Sequence, residues 1–254
     1  GKALLNGTKV QTPTGEVAIE QLRIGDEIFG IDGKVYHVTG VFPQGEKEIY
    51  EIEFSDGNVI KCCKDHLWTY QTAKMRGNKK PFVTHTTEHI MNNVELKRKY
   101  GKQKHFNTNV FIPMNNPVEY DKRYNIIPPY TLGTLIGDGT MGESKGTIGF
   151  SNTEGDIVLR VNEELNDIGY YLNHSKKGDY TVNINDKLLT NASFIKMLTG
   201  VGLYGALSDT KHIPESYLYS DVSDRYELLA GLIDTDGYCA GSSYDYYTTS
   251  KDLC

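Results

Sequence analysis

Two stretches of this chain repeat one another. Tyr130–Gly139 reads YTLGTLIGDG and Leu228–Gly237 reads LLAGLIDTDG. Aligned without gaps, Gly133 falls on Gly231, Asp138 on Asp236 and Gly139 on Gly237. The repeat constrains the fold because each copy sets a glycine inside an apolar helical run, where it costs about 1 kcal/mol against alanine. Two related helices that both accept this cost predict close backbone approach, Gly133 against Gly231. Each helix then ends at an acid, with Gly139 or Gly237 as the stop. A helix C-terminus is the negative end of the macrodipole, so an aspartate there is unfavourable unless a divalent cation reverses the sign. Side by side, the helices bring Asp138 and Asp236 to one edge, which suits metal-assisted phosphodiester hydrolysis. For a single copy, an ordinary exposed aspartate at a core helix end would be the better reading. Two aligned copies favour the metal site.

The rest of the chain has two textures. From Lys9 to about Tyr70, short segments such as EVAI, DEIFGI, KVYHVTGVF, EIYEIEF and NVIKC alternate apolar and polar residues. Between them stand D-G-K, Q-G-E and D-G-N, and Asp-Gly between alternating runs is a hairpin signal. This predicts a compact all-β module. Gln71 to Pro129 is mixed and basic and ends in IIPPY, whose prolines predict a boundary near Pro128 and Pro129. Beyond it, GDIVLRVNEELNDIGY and NASFIKMLTGVGL have helical spacing, and YYLNHSKKGDYTVNIND reads as a hairpin. The expected segments are a remnant at 1–2, a β module with its extension at 3–129 (the extension about 71–129) and a helix–strand domain at 130–254.

The net charge of −6 is unevenly spread. From Gln71 to His105, nine basic residues (Lys74, Arg76, Lys79, Lys80, Lys97, Arg98, Lys99, Lys102 and Lys104) face only Glu88 and Glu95. That segment is +7 and leaves −13 elsewhere. Overall acidity therefore does not exclude a nucleic-acid partner. Taken alone, the run is better read as a solvated face. Beside an aspartate pair suited to phosphodiester hydrolysis, Lys74, Arg76, Lys79, Lys80, Lys97, Arg98 and Lys99 become candidate contacts to double-stranded DNA. Four cysteines make no disulfide framework, and no apolar run reaches the roughly 20 residues that span a bilayer. The expected setting is the cytoplasm, with no membrane partner.

LLAGLIDTDG resembles the signature of the LAGLIDADG homing endonucleases, and YTLGTLIGDG resembles a degenerate first copy of it. The resemblance implies two pseudo-symmetric αββαββα halves whose sheets form a saddle on DNA, with Asp138 and Asp236 as catalytic metal ligands for Mg²⁺. DTKHIPESYL resembles the family segment that carries a basic catalytic-site residue, which points to Lys211. A merely solvated lysine is the even alternative. Asp234 matches a helix acid that is not a metal ligand.

The β module is similar to another family. ALLNGTKVQTPTGEVAIEQLRIGDEIFGIDG resembles the N-terminal splicing block of inteins, and FSDGNVIKCCKDHLW resembles their second block, where Thr-x-x-His follows Asp-Gly. Together these imply an all-β Hedgehog/intein (HINT) horseshoe followed by an α+β LAGLIDADG domain with an incomplete second repeat. They also imply an N-terminal part of an intein that splices protein. The family's first residue, usually Cys or Ser, attacks the preceding carbonyl in an N-to-S acyl shift. The matching residue here is Ala3, so the scissile junction is Lys2–Ala3. Ala3 is either a replaced nucleophile, the favoured reading, or the natural alanine of an intein that skips this step. His66 matches the block histidine that protonates the leaving nitrogen. Cys63 stands where threonine is usual, and Asp65 reads as a turn residue. A zinc site at Cys62, Cys63 and His66 is the weaker alternative, for lack of a second ligand pair.

Splicing itself needs no cofactor. Trans-esterification and Asn cyclisation are expected from a C-terminal intein fragment, a second chain that completes the fold. Gly1–Lys2 resembles the end of a P-loop, so the flanking extein is expected to be an ATP-binding host. Two other readings stand beside this one. One is a free-standing LAGLIDADG endonuclease or DNA-binding protein with an inactive β module. The other is a Hedgehog-like acyl-transfer module.

Overall fold

The computed structural model describes residues 2–99, 106–142, 146–186, 188–241 and 243–254, with side chains left aside for 97–99, 106 and 107. Gly1, Lys102 and Lys104 lie outside the described residues. The chain divides into two units, Gly1–Glu119 and Tyr120–Cys254. This boundary precedes Pro128 and Pro129, where the first helix of the second unit begins.

The first unit is built from antiparallel hairpins. β1 (Lys9–Thr12) pairs with β2 (Gly15–Ala18), β3 (Glu27–Phe29) with β4 (Val35–His37), and β5 (Ile49–Glu53) with β6 (Val59–Cys63). The β3–β4 and β5–β6 turns are where Asp-Gly predicts them, whereas the β1–β2 turn runs through Pro13 and Thr14. Gly33 (φ 82°) and Gly57 (φ 87°) supply the left-handed backbone that the Asp-Gly turns need. The KVYHVTGVF segment yields a shorter strand than its alternation suggests. β4 ends at His37, before Gly40.

β7 (Leu67–Thr72) is the centre of a three-stranded sheet, flanked by β8 (Val83–Thr86) and β11 (Val110–Phe111). α1 (Ala73–Gly77) and α2 (Thr87–Asn93) interrupt it, and β9 (Lys97–Lys99) pairs with β10 (Phe106–Thr108). Both helices start at a threonine cap: the Thr72 side chain accepts from Met75 N–H and the Thr86 side chain from His89 N–H. The β module therefore carries two short helices that an all-β reading leaves out. Its core is thin, consisting chiefly of Ala18, Leu22, Cys62, Cys63, Tyr70 and Ile90.

The second unit runs α3 (Pro129–Asp138), β12 (Gly139–Thr140), β13 (Gly149–Ser151), α4 (Gly155–Asp167), β14 (Tyr170–Lys176), β15 (Asp179–Ile184), α5 (Asn191–Gly200), α6 (Glu215–Leu218), α7 (Val222–Asp236), β16 (Gly237–Ala240) and β17 (Ser243–Tyr246). Its four-stranded antiparallel sheet has the order β12-β13-β15-β14, and β16–β17 form a separate hairpin. Pro129 opens α3 at a position where a missing N–H costs nothing. From Tyr130 to Ile136 every residue of α3 is buried, so this helix is the centre of the unit. Leu132, Leu135, Phe150, Val161, Leu165, Tyr170, Leu198 and Leu228 pack into one core with it. Among the described residues, no helix is long and apolar enough to cross a membrane.

Candidate functional site

Glycine decides how α3 meets α7. A Cβ on Gly133 would fall on the Leu228 carbonyl oxygen and stand 3.1 Å from both Gly231 Cα and Leu232 N. A Cβ on Gly231 would fall on the Tyr130 carbonyl oxygen and stand 2.8 Å from Thr134 N. The two backbones therefore touch at the repeated glycines, and both helices end at their aspartates. Gly139 and Gly237 stop the helices without the left-handed turn the sequence suggests. Both are extended, with φ −81° and −93°, and lead directly into β12 and β16.

Asp138, Asp236 and Lys211 meet at these helix ends. Burial holds the Asp138 carboxyl above the usual aspartate range, and the Asp236 charge adds to this, while a hydrogen bond from Asn152 Nδ2 at 2.7 Å opposes it. Burial likewise raises Asp236, against the pull of Lys211. Lys211 is 6% exposed. Its Nζ donates to the Gly137 and Gly139 carbonyls at 3.0 and 2.9 Å, and burial pushes its pKa down against the attraction of both aspartates. Asp234 points elsewhere, accepting from Tyr130 Oη at 2.8 Å.

Two half-buried carboxylates held in their costly form make a hard-oxygen donor set. Mg²⁺ is commonly bound through one or two carboxylates plus substrate phosphates, so the residues fit it. Among the described residues there is no cluster of three or more His, Cys, Asp or Glu, which leaves the remaining positions to water and phosphate. An open cleft lies beside Asp138, lined by Ser151, Asn152, Lys177, Asp179 and Thr235.

One pair of supporting residues is not apparent from the signature motifs. Asn152 and Ser250 each stand fourteen residues beyond their aspartates. Each accepts a backbone N–H two residues on, from Glu154 and Asp252. Asn152 holds Asp138, whereas buried Ser250 donates to the Lys211 carbonyl at 2.5 Å. In the sequence the pairing shows only as a loose match between GFSNTEGD and YYTTSKDL, at similar distances beyond the two aspartates.

In the first unit the chain start lies along β6. Leu5 N–H donates to the Lys61 carbonyl and Cys63 N–H to the Ala3 carbonyl, both at 3.0 Å, with Leu4 bridged to Cys62. The Lys2–Ala3 peptide is held from both sides. Its N–H, on Ala3, donates to Cys63 Sγ at 3.2 Å. The His66 ring hydrogen-bonds the Lys2 backbone; burial lowers its pKa, and that bond partly restores it. His66 Nδ1 is buried without a hydrogen-bond partner among the described residues, and the ring lies edge-on to Trp68 at 5.0 Å. Asp65 sits in the turn and pairs with Lys47 at 3.6 Å. Trp68 and Thr87 complete the surroundings of His66, and neither stands out in the sequence.

Lys74, Arg76, Lys79 and Lys80 are all exposed, on or just after α1. The Arg76 guanidinium lies 4.3 Å from the centre of the Phe111 ring. Lys97, Arg98 and Lys99 form β9.

No protein-family model matches the sequence. The replicative DNA helicase DnaB of Mycobacterium intracellulare is 29% identical over 269 residues, which cover 100% of this chain and 41% of the relative. DnaB of Mycobacterium leprae (strain TN) is 41% identical over 71 residues, 27% of this chain and 11% of the relative. The chain thus spans well under half the length of both relatives. Among solved structures, a variant of the gp41-1 intein is 32% identical, covering 35% of this chain and 61% of its own, with a TM-score of 0.29. A class 3 split NrdHF intein is 15% identical, covering 73% and 99%, with a TM-score of 0.28.

Proposed function

We propose that the chain is the N-terminal part of an intein, a protein-splicing element interrupting a DnaB-type helicase, with a LAGLIDADG endonuclease embedded in it. The observation that carries this reading is the Lys2–Ala3 peptide, held between Cys63 Sγ and the His66 ring. A peptide bond gripped at its N–H by one side chain, with an imidazole beside its carbonyl residue, is arranged for acid-assisted cleavage. The helicase relatives support an ATP-binding host, in keeping with a Gly-Lys that ends a P-loop.

With a thiol at position 3, the sulfur attacks the Lys2 carbonyl carbon. The C–S bond forms, the C–N bond breaks, and His66 gives its proton to the leaving amine and regains one from the thiol. The first unit also offers a surface for the completing segment. Ile24, Ile31 and Phe42, in the turns and loops beside β3 and β4, are 71%, 58% and 78% exposed. Exposed apolar side chains of this size fit a further segment packing against them.

In the second unit Asp138 and Asp236 would hold Mg²⁺, which stabilises the attacking and leaving oxygens of a phosphodiester. Lys211, nearly dry, places its ammonium beside both acids, and the exposed cations of α1 supply attraction to the duplex.

The splicing test is intact-mass spectrometry. An Ala3→Cys variant with a short N-terminal extension is mixed with the complementary C-terminal segment. Loss of the extension, or its ligation to the downstream residues, is expected. An unchanged mass in a folded complex would leave the second reading, a DNA endonuclease with an inactive β module, which the missing nucleophile at Ala3 itself favours. Mg²⁺-dependent cleavage of an uninterrupted host gene tests the nuclease separately.

A further inference from the structure

Thr87 opens α2 and is 1% exposed. Its hydroxyl receives a hydrogen bond from Trp68 Nε1 at 3.0 Å and gives one to the His66 carbonyl at 3.3 Å. Its backbone N–H reaches the same carbonyl at 2.9 Å, and the next N–H, of Glu88, reaches the Lys64 carbonyl at 3.0 Å. The first turn of α2 therefore spends its unpaired N–H groups on the turn that carries His66. This hydroxyl is not the helix cap, because Thr86 already fills that role, accepting from His89 N–H at 3.1 Å. A buried hydroxyl that the cap does not need has been kept for another partner.

We propose that the Thr87 hydroxyl is a positioning residue for the junction chemistry: by joining the Trp68 indole to the His66 carbonyl, it keeps the imidazole facing the Lys2 backbone. The proposal rests on the splicing reading and names a group that sets the reaction's geometry. One wall of the His66 ring is Trp68, at 5.0 Å and 70°. That wall is fixed through its Nε1, whose hydrogen-bond partner among the described residues is Thr87. The charges of the turn are engaged outward, Asp65 with Lys47 and Lys64 with Glu88 at 3.7 Å. Lys2 is the cation that faces the ring. Without the hydroxyl, the indole N–H is left buried and unpaired, the wall moves, and water reaches His66.

The test has two readouts. The first uses the chain as it stands: NMR titration of the His66 ring and hydrogen exchange of the Trp68 indole. Slow exchange is expected, with the His66 titration below the ordinary histidine value. Thr87→Val should move that titration upward, and Thr87→Ser should return it. The second readout is junction cleavage in the Ala3→Cys background. There Thr87→Val should slow cleavage roughly 10- to 100-fold, the scale of a misplaced catalytic group, and Thr87→Ser should restore it. A folded Thr87→Val with unchanged titration and rate would overturn the proposal. So would fast indole exchange in the unmodified chain, a result that stands even if Thr87→Val fails to fold. If Ala3→Cys is inert while Thr87→Val still shifts His66, the splicing reading falls and the positioning of His66 survives.

Discussion

At the scale of single residues, Asp236 is the most exposed to a sign argument. Burial raises its carboxyl above the ordinary 3.8, so the folded chain binds that proton more tightly than the unfolded chain does. Stability then falls as pH rises from about that value, and the penalty is complete once the folded group has ionised. Asp236→Asn removes the penalty. Thermal unfolding in EDTA at neutral pH should give a variant with a higher melting temperature than the parent. In acid below the ordinary value the two proteins should converge, because both side chains are then neutral. With Mg²⁺ the order should reverse, since only the parent gains from binding. A less stable variant in EDTA would mean that Lys211 over-compensates the acid and that no cation is needed there.

At the scale of elements, the α3–α7 contact is the feature that the glycines make possible. Gly231→Ala gains about 1 kcal/mol of helix propensity. Against this, the new methyl meets the Tyr130 carbonyl and, at 2.8 Å, Thr134 N. Both are backbone atoms of a helix buried on all sides, so nothing can give cheaply, and overpacking of this kind costs typically about 1–3 kcal/mol or more. Gly200→Ala is the control. Gly200 is also helical but has nothing within 4 Å of a new Cβ. Urea unfolding should show Gly231→Ala destabilised and Gly200→Ala neutral or slightly stabilised. Equal midpoints would mean that the helices separate freely.

The approach of α3 to α7 was legible in the sequence because two copies accepted the same local cost. The hairpins were legible through Asp-Gly, and α4 and α5 through apolar spacing. The short helices α1 and α2 were not, since five and seven residues give no period to read. The partners of His66 were also hidden. The motif names the histidine, but its support comes from Thr87, which packs through tertiary contacts that leave no local pattern. Ser250 against Lys211 was hidden for the same reason: the repeat predicts the position, and only the fold shows which atom it meets.

At the scale of the whole molecule, charge is the open question. A chain of net −6 repels phosphate on average, but exposed charges beyond the Debye length of about 8 Å at physiological salt are largely screened. What matters to a duplex is therefore the local run on α1, with Lys74, Arg76, Lys79 and Lys80 exposed together. Two structural purposes compete for it. Lys79 is left-handed (φ 51°), with its N–H on the Arg76 carbonyl and Lys80 N–H on the Met75 carbonyl, so these cations also sit favourably at the negative end of a helix. Arg76, in turn, is occupied by Phe111. A helix-end role needs no partner and responds weakly to salt in binding, whereas phosphate contact releases counterions. For each phosphate engaged, the slope of log K against log salt steepens by about 0.9. Replacing Lys74, Lys79 and Lys80 with glutamine should therefore flatten the slope for duplex binding by about 0.9 for every phosphate no longer neutralised, measured by fluorescence anisotropy in EDTA so that cleavage does not intervene. The weakening should be equal across unrelated sequences, because phosphate contacts carry no base information. An unchanged slope with a lower melting temperature would assign the three lysines to the end of α1 and leave any duplex contact to the second unit, where Lys177 lines the cleft beside Asp138.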